Sequence, residues 1–454
     1  MSLFSNPQAP HTSKRTRFIL LLLLSSLLVL AACSIANSQN LPQTGEKIEA
    51  PVLPQAQDGT PSPEAIQQDE RAEEEPLSQA EFEEEQFLLI EEIIIAMLFV
   101  AVLVGIVAHR LRVPYTIGLV LIGLVLALRS PIDVEISPNL ILALLVPPLI
   151  FEAAFHLNFN DLRYNLVPIL ALAVPGVILT TFIVGGIVAW GTGLVLPVAL
   201  VFGALVSATD PVSVVSLFRA MGVPKRLQVL LEGESLLNDG TAIVLFDLVV
   251  TVAVAGTADF NLLISLTDFV RVAGGGLVVG VLLGTAVSQL ISRIDDYLIE
   301  TTLTSVLAYG AYLIAEILGV SGVLAVVAAG LVNGNIGPRG MSPTTRIVVF
   351  NFWEYAAFLA NSFIFLLIGL QIELTVLFEN WQLILWAILA ILVARAIGVY
   401  GLSRIEREIP TKWQHILYWG GLRGAISLAL ALSLPDKLPE VSDQIQVMAF
   451  GVVL

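Results

Sequence analysis

From Phe87 onward the chain alternates long apolar runs with short polar breaks. The pattern predicts helices over 87–108, 114–128, 138–157, 165–190, 194–218, 227–256, 268–292, 300–318, 320–334, 346–371, 381–402, 413–434 and 444–454. A helix rises ~1.5 Å per residue and a hydrocarbon core is ~30 Å thick. All but the second, ninth and last of these segments are about long enough to span it. The expected fold is therefore an all-α polytopic membrane protein of about 13 transmembrane helices, occupying residues 87–454. The last segment meets the chain end after 11 residues, so its helix is expected to be incomplete.

Before residue 87 the pattern changes twice. Lys14, Arg15 and Arg17 precede an apolar run from Phe18 to Leu30 that is too short to span comfortably, so residues 1–33 read as a secretory signal. The run ends Leu30-Ala31-Ala32-Cys33, which resembles the lipobox of bacterial lipoproteins, where the cysteine is lipidated. The other reading is an uncleaved signal anchor with an ordinary buried cysteine. Residues 34–86 hold 13 acids and two bases in a Pro-, Gln- and Glu-rich stretch. Such composition buries too little apolar surface to offset chain entropy, which predicts a disordered extracytoplasmic tail, either a solvated tether or a cation-attracting one.

Composition narrows the class. The chain is 56% hydrophobic and 13% charged, against roughly 25% charged in soluble domains, which excludes one large water-soluble protein. A net charge of −16 without a basic patch excludes a nucleic-acid binder. One cysteine and four scattered histidines exclude a disulfide framework and a thiolate zinc cluster. With the tail outside, twelve Lys and Arg fall in inside loops, and only Arg129, Arg271 and Lys437 fall in outside ones. That bias fits a plasma (inner) membrane protein of bacterial type with its N-terminal tail outside.

Several charges nevertheless lie inside predicted helices: Arg395, Arg423, Glu152, Asp210, Glu234 and Asp239, with Asp247 and Glu316 nearer helix ends. Each costs about 2.5–3.5 kcal/mol at a helix centre, so they must pair, stay neutral or line a wet cavity. An ion or proton path is the default reading of such groups. In Ser207-Ala208-Thr209-Asp210-Pro211, the proline removes a donor, disfavours helix at Asp210 and leaves the Ser207 carbonyl without its partner. Unwound backbone beside a carboxylate is how transporters coordinate small cations; a packing kink is the bland alternative. In Gly233-Glu234-Ser235-Leu236-Leu237-Asn238-Asp239-Gly240, Ser235 and Asp239 share one helix face, while Glu234 and Asn238 share the next. Hydroxyl, amide and carboxylate oxygens together suit a hard cation such as Na+. A carboxylate held away from water holds either a proton or a cation, and that competition is the physical core of an exchanger.

Glu152, in the proline-broken 138–157 segment, reads either as a further cation ligand or as an interfacial acid. His156 beside it reads as a pH sensor or as an ordinary helix-end residue. Arg395 needs an anion, and Glu234 is the natural partner, which leaves Asp239 free for ion work. Arg423 sits in Gly420-Gly421-Leu422-Arg423-Gly424, a second break. Breaks in corresponding helices of two halves point to discontinuous helices at one central site.

The motifs Ser-Ala-Thr-Asp-Pro (207–211), Gly-Glu-Ser-Leu-Leu-Asn-Asp-Gly (233–240) and Gly-Gly-Leu-Arg-Gly-Ala (420–425) together resemble the signatures of the monovalent cation:proton antiporters, in their bacterial and plant-type sodium/proton exchanger branch. The resemblance covers about residues 87–454. It implies a thirteen-helix fold with an inverted repeat and crossed discontinuous helices, the 194–218 and 413–434 segments. It also implies a homodimer that works by an elevator-like motion. Asp239 would carry Na+ and H+ in turn. Asp210, Thr209, Ser235 and Glu152 would assist the cation, Asn238 would complete the dyad, and Glu234 with Arg395 would be the structural ion pair. An Asn-Asp dyad goes with one-for-one electroneutral exchange in this family. The expected activity is antiport of Na+ (or Li+, or K+) against H+. Such a carrier is no enzyme and needs no cofactor, and no phosphate-binding glycine loop followed by Lys-Ser/Thr occurs. A cation channel and a sodium-coupled organic-solute symporter are the rival readings. The signal and acidic tail, the short last helix and the lack of a cytosolic regulatory tail depart from the family pattern.

Overall fold

The structure, a computed structural model, describes residues 79–111, 114–129, 141–210, 223–255, 261–403, 409–421, 423–439 and 441–453. Cys33, Pro211 and the expected signal lie outside the described residues, as does the acidic tail up to residue 78. The chain divides into two compact units, Met1–Phe99 and Val100–Leu454. In the first, the described residues are helical throughout.

Every regular element among the described residues is a helix. In chain order these are α1 (Gln79–Leu111), α2 (Tyr115–Arg129), α3 (Val146–His156, entered through a π-turn at Ile141–Leu145), α4 (Phe159–Tyr164), α5 (Leu166–Ala173), α6 (Pro175–Thr192) and α7 (Leu196–Leu205). They continue with α8 (Lys225–Ala255), α9 (Leu262–Ile291), α10 (Tyr297–Ile317), α11 (Gly322–Ile336), α12 (Pro343–Gln371) and α13 (Leu374–Glu379). The last five are α14 (Trp381–Leu402), α15 (Thr411–Gly420), α16 (Ala425–Leu432), α17 (Leu434–Lys437) and α18 (Ser442–Val453). Seven helical stretches among the described residues are long and apolar enough to cross a membrane, counting α5 and α6 as one.

Most boundaries follow the hydropathy pattern, and the departures have local causes. The first helix starts at Gln79 rather than Phe87, because the intervening Glu- and Gln-rich residues are good helix formers. The 165–190 segment divides at Val174 before Pro175, which lacks a backbone donor and starts a new helix. The 413–434 segment divides between Gly420 and Ala425, and this division builds the site.

Within the second unit the helices form two groups. In one, α7 packs between α6 and α8, α5 packs on α8, α14 lies on α6, and α16 packs on α18. In the other, α11 packs against α9, α3 and α10, and α12 against α2 and α3. The second group centres on Trp353, whose ring lies 4.4 Å from that of Phe151 and whose Nε1 donates to Thr304 Oγ1 at 3.0 Å. The outer faces of α9 and α10 expose Val278, Leu282, Val306 and Leu313, as surfaces that meet lipid do.

Candidate ion-binding site at two helix breaks

The first break follows α7. Its last turn closes normally, with the Val206 amide donating to Phe202 O, but residues 208–210 form no regular structure. Their carbonyls would lack partners in an apolar interior, where an unmade backbone hydrogen bond is costly. Side chains from distant helices take them. Arg423 Nη1 reaches Ser207 O at 3.5 Å and Ala208 O at 3.4 Å. The Ser427 hydroxyl donates to Ala208 O at 3.3 Å, and the Ser235 hydroxyl donates to Thr209 O. The Ser207 carbonyl thus does find a donor, in a residue 216 positions away.

The second break, 421–424, is shaped by glycine. A Cβ on Gly424 would fall 2.1 Å from the Asp210 Cβ, and one on Gly421 would fall 2.4 Å from Arg395 Nε. Only hydrogen fits at either place, so the two breaks touch through Gly424 and Asp210. Arg395 crosses behind Gly421, donating to Glu234 Oε1 at 2.6 Å and to Leu417 O at 2.9 Å. Leu417 lies in the last turn of α15, whose final carbonyls have no helical partner. Each arginine therefore sits at the negative end of a broken helix, where a cation is favoured.

α8 runs unbroken past both breaks and presents two faces. Glu232, Ser235 and Asp239, at i, i+3 and i+7, line a cavity of about 220 Å³ together with Thr209 and Asp210 from the first break. Asp239 and Asp210 are close enough to interact electrostatically, and both are partly accessible. On the adjacent face, Glu234 and Asn238 are each 2% exposed. Asn238 Nδ2 donates to Thr209 Oγ1 at 3.2 Å, so the buried face steadies a hydroxyl of the cavity face.

α3 closes the cavity from the second group. Glu152 and His156 both line it; His156 Nδ1 is 3.2 Å from Glu152 Oε1 and 2.9 Å from Glu152 O. The structure thus brings Asp239, Asp210, Thr209, Ser235 and Glu152 to one cavity, with Asn238 directly behind. Glu234, Arg395 and Arg423 stay off its walls. Asp247 and Glu316 lie away from it: Asp247 pairs with Lys437 at 2.7 Å, and Glu316 accepts from the Gly322 amide at 3.2 Å. Sequence reasoning missed Glu232, Asn361 and Ser427 on the cavity wall. The helical stripe through Ser235 and Asp239 carried the signal for Glu232. Nothing local marks Asn361 or Ser427.

A multi-pass helical membrane protein whose broken helices meet at a carboxylate-lined cavity has the architecture of a secondary transporter. The chain belongs to the sodium/hydrogen exchanger family: the family's transmembrane model matches residues 97–454. It is 47% identical over 376 residues to the Na(+)/H(+) antiporter ApNhaP of Aphanothece halophytica, covering 82% of this chain and 71% of that one. It is 43% identical over 380 residues to the low-affinity Na(+)/H(+) antiporter NhaS1 of Synechocystis sp., again covering 82% and 71%. Its fold matches that of the sodium proton antiporter MjNhaP1 from Methanocaldococcus jannaschii at a TM-score of 0.69 and 24% identity, over 81% of this chain and 94% of that one.

Proposed function

We propose that the protein is a sodium/proton antiporter in which Asp239 takes Na+ and H+ in turn. The observation that carries this reading is the meeting of Asp239, Asp210 and Thr209 on one cavity at the unwound end of α7. A cation shedding water there finds two carboxylates and, from Thr209 and Ser235, hydroxyl oxygens, the hard donors Na+ prefers; Glu152 supplies a further carboxylate on the approach. Li+ and K+ use the same donor types. When the cation leaves, a proton takes its place on one of the two neighbouring carboxylates. Glu234 is held by Arg395 and stays out of this exchange, so one proton replaces one monovalent cation and the cycle is electroneutral. The antiporter activity named for the similar proteins supports the same reading.

His156 of α3 and Glu232 of α8 line the cavity, and the chain next to them carries Arg163 in α4 and Lys225 and Arg226 in the first turn of α8. The excess of such residues on one side favours a cytoplasmic position for that side of the cavity, with the N-terminal segment outside. Alternating access would move the helix group bearing the breaks against the group around Trp353, with the latter as the contact surface of a homodimer. Residues 1–33 would direct the chain to the membrane, with Cys33 lipidated or retained in an anchor, and 34–86 would form the external tail.

The test is dequenching of a pH-sensitive dye in vesicles on addition of Na+, Li+ or K+. Asp239→Asn should lower exchange by at least ~100-fold, since the variant cannot alternate between proton and cation. Persistent exchange in that variant would overturn the mechanism. Collapsing the membrane potential should leave the wild-type rate unchanged; a potential-dependent rate would overturn one-for-one exchange.

A further inference from the structure

A second cavity, only about 10 Å³, lies among Asn238, Arg395, Arg423 and Ser207, behind the residues that face the large one. That volume is about what one water molecule requires. Around it the polar groups are left short of partners. Asn238 Oδ1, Arg395 Nε, and Arg423 Nε and Nη2 are all buried and make no hydrogen bond to the protein. Asn238 is 2% and Arg423 9% exposed. An unmet buried polar group is costly, so their grouping around one void calls for a common partner. The far wall includes Gly398 of α14, which is itself buried, yet a Cβ built on it meets nothing within 4 Å. The glycine therefore faces open space.

We propose that this void is a binding site for a single water molecule that clasps the second break to α8 and α14. Water matches the lining: it donates to Asn238 Oδ1 and accepts from the guanidinium N–H groups of Arg395 and Arg423. An anion fits less well. The void is too small for a halide, and the positive charge already faces Glu234 and the carbonyls of Ser207 and Ala208. With the water in place, the Asn238 oxygen turns to the arginines and its amide nitrogen to Thr209. Thr209 Oγ1 then accepts that bond and keeps a second lone pair for a cation. This last consequence rests on the ion site proposed above; the water itself does not.

Two measurements on the full-length protein test it. The first compares the melting temperatures of Gly398→Ala and Gly186→Ala. Gly186 also lies inside a helix and its Cβ meets nothing within 4 Å, but it is exposed, so it controls for helix propensity. Expelling a bonded water destabilises, whereas filling a dry hole stabilises. Gly398→Ala should therefore melt several degrees below Gly186→Ala; an equal or higher melting temperature overturns the water. The second is a high-resolution cryo-EM map in chloride and in bromide. A water-sized peak within hydrogen-bond reach of Asn238 and Arg423, unchanged by the halide, is expected. No peak, or one that strengthens in bromide, overturns the proposal. Lowered melting with unchanged Na+/H+ exchange in Gly398→Ala would keep the water and overturn only its bearing on the ion site.

Discussion

The two helix groups bury polarity by different means. In the group around α8, helices stop in mid-course, and the carbonyls this exposes are taken by Arg395, Arg423, Ser235 and Ser427. In the group around α11, α9 to α12 run without interruption and approach through small residues. Gly280 of α9 comes so near α11 that a Cβ would lie 2.1 Å from Ala325 O. There Trp353 and Thr304 satisfy each other, and Glu300, fully buried in the first turn of α10, is the exception. The contrast teaches that charge can be buried where backbone has been opened to receive it, while uninterrupted helices gain most from close backbone packing. One group is built around opened backbone and the other around close helix packing.

The contrast can be broken from either side. Arg395→Ala should have the largest effect on folding, because it leaves Glu234 buried and uncompensated and frees the Leu417 carbonyl. Such a loss costs about 3–5 kcal/mol, read as poor yield and a low melting temperature, and Glu234→Gln added to it should recover part. In the other group, Gly280→Leu should cost ~1–3 kcal/mol or more by overpacking, while the Na+ KM of the surviving folded protein stays unchanged. A shifted KM there would show that the two groups are not separable. Trp353→Phe replaces the indole with a smaller phenyl, loses the bond to Thr304 and leaves a small buried void, for a loss of ~1–3 kcal/mol in chemical denaturation. Lys437→Met should have the smallest effect. It removes an ion pair whose side chains are 37% and 56% exposed, worth ~0–1 kcal/mol, and a marked loss of transport would place that pair in the ion path.

Much of this was legible in the chain because hydropathy is a local signal. The 381–402 segment is α14 from Trp381 to Leu402, and the four-residue spacing of Ser235 and Asp239 puts both on one helix face. What escaped depends on distance along the chain. Arg423 reads as a charge inside a broken helix, and nothing near it reveals that its acceptors are Ser207 and Ala208. The irregular stretch begins at Ala208, ahead of Pro211; the proline rule points to a freed Ser207 carbonyl, but not to the distant donors that take it and its neighbours. Ser427 is one serine among many until α16 is laid beside the end of α7.

The contact between Gly424 and the Asp210 Cβ limits how the site can travel. With no atom to spare between them, the unwound end of α7 cannot slip past the start of α16 without driving one backbone into the other. In the alternating access proposed above, a displacement that presents the carboxylates to the opposite side would carry both segments as one block. The slip plane of that proposed motion would then run elsewhere, where α3 and α12 face that block.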